Sequence, residues 1–165
     1  MRVGWIERVS LPDFGLKGVE AKIDTGARTS ALHISAAQPL ALAAAGAKGH
    51  PDRLQVVLMG VGLSAKRRTI ELEVEDWVMV RDTSGRRQRR PVIRTVLQMG
   101  KTRRTIRLGL TDRGDMRYPL LIGRTALPEG TLVDPHTRFL LGPSLAAATK
   151  LPGPVSPGRR QGGKS

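Results

Sequence analysis

The residues of this chain best suited to chemistry are Asp24-Thr25-Gly26-Ala27. The alternating segment Val19-Glu20-Ala21-Lys22-Ile23 reads as a strand that delivers Asp24 at its end, and Thr29 to His33 leads away as another. Gly26 lets the backbone approach closely or take a positive φ, and the Thr25 hydroxyl can satisfy neighbouring backbone groups. A carboxylate held in this way can accept amide hydrogen bonds and be aimed at a water molecule. Asp, Thr and Gly also favour ordinary turns, so the tripeptide alone fits both readings.

The rest of the chain reads as the strands needed to position that loop. Residues 3–11, 18–23 and 29–34 alternate around it. Residues 35–53, rich in Ala, Gly and Pro, read as a loop insertion. Strands follow at 54–59, 68–75, 77–81, 92–99, 105–110 and 120–122, with Ile70, Leu72 and Val74 facing away from Thr69, Glu71, Glu73 and Glu75. Thr125 to Leu127 is expected to form one short helical turn, and 131–133 and 139–141 two terminal strands. Regular short strands joined by turns imply an all-β, closed barrel. Residues 1–142 would form this domain. Residues 143–165, which carry Lys and Arg but no acid, read as a disordered basic tail.

Composition narrows the chemistry. With no cysteine, the chain has no disulfide, thiolate metal site or cysteine nucleophile. His33, His50 and His136 are scattered and no His-Glu-x-x-His occurs, so no metal is expected; nor is there a Gly-rich Lys-Ser/Thr loop for ATP. The expectation is therefore no cofactor. A start without an apolar signal core, and no apolar run long enough to span a bilayer, point to a cytoplasmic protein without a membrane partner. The net charge of +14, from 28 Lys and Arg against 14 Asp and Glu, favours polyanionic partners. An aromatic content of 3% argues against nucleic-acid binding through stacked bases.

About a hundred residues after Asp24, Tyr118-Pro119-Leu120-Leu121-Ile122-Gly123-Arg124 supplies an apolar strand ending in Gly-Arg. With Asp24-Thr25-Gly26-Ala27 it resembles the retropepsin-like aspartic peptidases, where such a segment packs beneath the catalytic loop. The resemblance implies Asp24, Thr25 and Gly26 as catalytic residues, supported by Ile122, Gly123 and Arg124. Two carboxylates sharing a proton let one act as base and the other as acid, yet this chain holds one Asp-Thr-Gly. It would therefore be half of an aspartic-protease homodimer, with one Asp24 from each subunit. Thr25 would reach across to the opposite loop.

A hairpin over Val78–Val92, with Asp82-Thr83-Ser84-Gly85 at its tip, is the expected flap. Ala27, Arg28, Ser84, Gly85 and Arg86 are then the expected substrate contacts. Arg28 departs from the retroviral pattern, which has an acid there to pair with the arginine of Gly-Arg. Glu7, Glu20, Asp134 or a substrate carboxylate is expected to bridge Arg28 and Arg124. Arg86, Arg87, Arg89, Arg90 and Arg94, offset only by Asp82, would draw acidic peptides.

Over residues 1–142, the segments Ala21–His33, Leu110–Arg117, Leu120–Leu127 and Leu132–Pro135 look like a bacterial family labelled ATP-dependent zinc protease, retropepsin-like in fold. Some members are associated with ATP-grasp ligases that add glutamates to proteins, which implies an acidic protein or glutamate-rich substrate. The rival reading is a catalytically silent module of the same fold, binding nucleic acid or an acidic protein.

Overall fold

Alternating apolar and polar residues make most of the described residues extended. The computed structural model describes residues 1–39, 52–58, 61–62, 66–81, 85, 87–112 and 117–142. Its strands are β1 (Arg2–Leu11), β2 (Leu16–Asp24), β3 (Ser30–His33), β4 (Ala36–Pro39), β5 (Arg53–Leu58) and β6 (Arg68–Glu73). They continue with β7 (Asp76–Arg81), β8 (Arg87–Met99), β9 (Thr102–Thr111), β10 (Leu120–Gly123) and β11 (Leu132–Arg138). Single 3-10 turns occupy Pro12–Phe14 and Arg124–Ala126, the second where a short helical turn was expected. Among the described residues no helix is long and apolar enough to cross a membrane.

Six strands close a barrel in the order β1-β2-β10-β3-β9-β8, with Ser10 of β1 pairing Gln98 of β8. β11 extends the sheet beside β1, and β7 beside β8. A second, antiparallel sheet, β4-β5-β6, includes Ala36–Pro39 from the start of the segment read as a loop. Residues 40–51 and 143–165 lie outside the described residues. β6 keeps the expected two faces, with Thr69, Glu71 and Glu73 exposed while Ile70 and Leu72 pack on the core. Val19, Leu32, Leu108, Leu120 and Ile122 are fully buried inside the barrel. Burial of each such leucine or isoleucine contributes about 1.5–3 kcal/mol.

Three pairings matter for the site because they are parallel: β2 with β10, β3 with β9, and β1 with β11. β10 runs between β2 and β3, so its Gly-Arg end arrives beside the end of β2. Phe139–Leu141, expected as a strand, is instead a turn. Phe139 is left-handed (φ 56°), and Gly142 N–H donates to its carbonyl. The amides of Leu140 and Leu141 donate to fully buried Glu7 (3.0 and 3.3 Å), which also accepts from Gly4 N–H (2.6 Å). A carboxylate on β1 thus takes the amides that a neighbouring strand would have paired.

At the β11 edge, the Asp134 carboxyl is held down at about 2, first by His136 N–H (2.9 Å) and then by the Arg2 guanidinium (2.6 Å). A depressed carboxyl stabilises the fold fully above its unfolded value of 3.8 and loses that contribution as pH falls through about 2. Asp134→Asn is therefore expected to flatten the pH dependence of stability across that window. Urea unfolding at stepped acid pH reads this directly.

Candidate active site

Asp24 is the last residue of β2 and is half-buried. Its Oδ1 accepts N–H bonds from Gly26 and Ala27, both at 3.1 Å, which folds the loop back on the carboxylate. Among the described residues Oδ2 accepts no hydrogen bond. Thr25 and Gly26 stand exposed beside it. One oxygen is pinned, leaving the other available to a water or a proton donor.

The end of β10 clamps this loop. Gly123 pairs with Asp24, and Ile122 with Ile23. Arg124 N–H donates to Ala27 O (2.9 Å) and Thr125 N–H to Arg28 O (3.2 Å). The Thr125 hydroxyl donates to the same Arg28 carbonyl at 2.7 Å. Gly123 N–H donates to Ser30 Oγ at 3.1 Å, both groups being buried. Asp24, Gly26, Ala27, Ile122, Gly123 and Arg124 are therefore brought together.

The arginine arrangement departs from expectation. Arg124 Nη1 donates to Gly26 O at 3.2 Å, so a loop carbonyl takes its charge. None of the three acids expected to bridge Arg124 and Arg28 does so: Glu7 binds backbone amides, Glu20 pairs with Arg8, and Asp134 with Arg2. The Arg28 side chain is exposed.

The expected hairpin is present, β7 against β8 from Asp76↔Val92 to Arg81↔Arg87. Gly85 is exposed with φ 81°, a conformation that favours glycine. Asp82, Thr83, Ser84 and Arg86 lie outside the described residues. Beneath the hairpin is a cavity of about 240 Å³, lined by Ser30, Val78, Val80, Arg90, Thr111 and Leu121 among others. Asp82 does not stand alone in offsetting the hairpin's arginines. Arg94 pairs with Glu75 at 2.5 Å, and Arg107 with Glu75 and Asp76 at 3.4 and 3.1 Å.

A family model described as the retropepsin-like aspartic endopeptidase RimB matches residues 2–143. The chain belongs to the RimB-like family. It is similar to proteins named probable alpha-L-glutamate ligase from Shewanella pealeana (32% identity over 143 residues) and Parasynechococcus marenigrum (35% over 144). Each match covers 85% of this chain but only 30% and 29% of those relatives, so the chain spans under a third of their length. The crystal structure of a Legionella pneumophila protein of unknown function is similar with a TM-score of 0.64 and 29% identity. That match covers 85% of this chain and 97% of the other.

The closed barrel of this RimB-like chain is the all-β architecture that the resemblance implied. Among the described residues no three His, Asp or Glu side chains converge, and His33 and His136 lie on β3 and β11.

Two members of the RimB-like loop clamp escaped sequence reasoning, Ser30 and Thr125. A hydroxyl just after each half of the paired motif is the signal that would have found them. Ser30→Ala orphans the buried Gly123 N–H and is expected to destabilise the fold by about 1–3 kcal/mol, read by urea unfolding.

Proposed function

We propose that this chain is an aspartic-type endopeptidase whose working unit is a homodimer, with Asp24 of each subunit forming a shared-proton dyad. The observation that carries the reading is Asp24 itself, pinned through Oδ1 by two loop amides at the clamped end of β2. The ionised carboxylate takes a proton from water as the oxygen attacks the peptide carbonyl carbon. The protonated partner carboxyl donates to the carbonyl oxygen. As the tetrahedral intermediate collapses, the C–N bond breaks and a proton passes to the departing amine.

Thr25 is proposed to steady the dyad across the subunit boundary, Ala27 and Arg28 to meet substrate, and Ser84, Gly85 and Arg86 to do so from the hairpin tip. Acidic, glutamate-rich polypeptides are the proposed substrates. The net charge of +14 supports this, as do relatives whose names include a glutamate ligase activity. Those names also support the proposal that this chain works alongside such a ligase.

The test is cleavage of a glutamate-rich peptide, followed by mass spectrometry, with wild type and Asp24→Asn at a concentration where sedimentation establishes the oligomeric state. Cleavage by the wild-type dimer alone supports the reading. Equal rates in the two proteins end it.

A further inference from the structure

A second recess, of about 350 Å³, lies on the Asp24 side of β2 and is lined by Trp5, Lys22, Arg117, Tyr118, Leu120 and Leu121. The alternating burial of β2 turns Glu20, Lys22 and Asp24 to one face. Two residues of strand put Lys22 roughly 7 Å from Asp24 along the chain. Leu121, paired with Lys22, lines both this recess and the cavity beneath the hairpin.

The recess gathers aromatic rings and cations. Trp5 and Tyr118 meet edge to face, with centroids 6.1 Å apart and planes at 88°. The Arg138 guanidinium lies 4.7 Å from the Trp5 ring centroid, and that of Arg117 5.7 Å from Tyr118. Among the described residues neither Lys22 nor Arg117 pairs with a carboxylate, whereas Arg94 and Arg107 on the hairpin side do. The uncommitted positive charge nearest Asp24 on β2 therefore sits here. A guanidinium held against a ring has less side-chain freedom left to lose when it binds an anion.

We propose that Lys22 and Arg117 are the specificity-determining residues of the Asp24 site. They receive a carboxylate of the substrate while its methylenes lie on Leu121 and the rings of Trp5 and Tyr118. The choice of substrate rests on the peptidase reading above, but the binding does not require turnover.

The experiment therefore uses the Asp24→Asn protein and fluorescence anisotropy with a labelled glutamate hexapeptide and its glutamine counterpart. The glutamate peptide is expected to bind more tightly. Lys22→Gln and Arg117→Gln should each weaken it about tenfold and leave the glutamine peptide unchanged. Arg53→Gln, whose arginine is already paired with Glu71 on the second sheet, should alter neither. With Asp24 restored, the two substitutions should raise KM for the glutamate peptide and spare kcat.

Unchanged glutamate binding in both variants overturns the assignment, as does no preference between peptides or equal weakening of both. If the wild type cleaves nothing yet binding still depends on Lys22 and Arg117, the peptidase reading fails and the subsite stands. If cleavage depends on Asp24 while both substitutions are silent, the subsite fails and the peptidase reading stands.

Discussion

Asp24→Asn should lower peptide hydrolysis by about a thousandfold or more while leaving the protein as stable as wild type. Stability is spared because asparagine keeps an oxygen where Oδ1 accepts the Gly26 and Ala27 amides. What it loses is a group able to take a proton from water and return it, a role worth about 10²–10⁴ in rate, and with it the shared-proton pairing of the proposed dyad. Subunit mixing adds a sharper test. If each active unit needs two Asp24 carboxyls, equal amounts of wild type and variant, allowed to exchange, should retain about a quarter of the activity. A site complete within one chain would retain about half. Matching melting curves with lost cleavage are the expected pair; a variant that unfolds would place Asp24 in the scaffold.

The local features of this arrangement were legible because they are written in a few consecutive residues. Asp24 to Ala27 states a strand end, a small hydroxyl residue and a glycine in succession, and Ile122-Gly123-Arg124 states a buried strand that must stop. Residues 68–73 show a strand with one wet face directly in their alternation, and that face is exposed.

Features set by distant partners were not legible. The parallel insertion of β10 between β2 and β3, and the closure of Ser10 on Gln98, depend on which strands meet after the chain has turned several times. The apolar run Phe139–Leu141 looks like a strand until buried Glu7 is seen taking its amides. Charge partners hid in the same way. Arg94 finds Glu75 across the sheet, and Arg124 finds a carbonyl instead of an acid. A chain with 3% aromatic residues gave no hint that Trp5 and Tyr118 meet.

Gly123→Ala should be strongly disruptive, destabilising the protein by about 2–4 kcal/mol and removing the Asp24-dependent chemistry. Conformational freedom is not the reason, because φ of −80° at Gly123 suits any residue. The obstacle is space: a Cβ there would lie 2.5 Å from Thr29 O, 2.6 Å from Thr29 C and 2.9 Å from Arg28 C. All three atoms are backbone, so no side chain can swing aside to relieve the contact. Relief requires β10 and the loop after Asp24 to part. Parting them breaks Gly123 N–H to Ser30, Arg124 N–H to Ala27 O and both Thr125 bonds to Arg28 O. Gly85→Ala is the control, since nothing lies within 4 Å of the added methyl and only its positive φ is strained. Urea unfolding of the two variants separates the cases. A Gly123→Ala protein as stable as the Gly85→Ala one would mean that the loop carrying Asp24 is not clamped by β10.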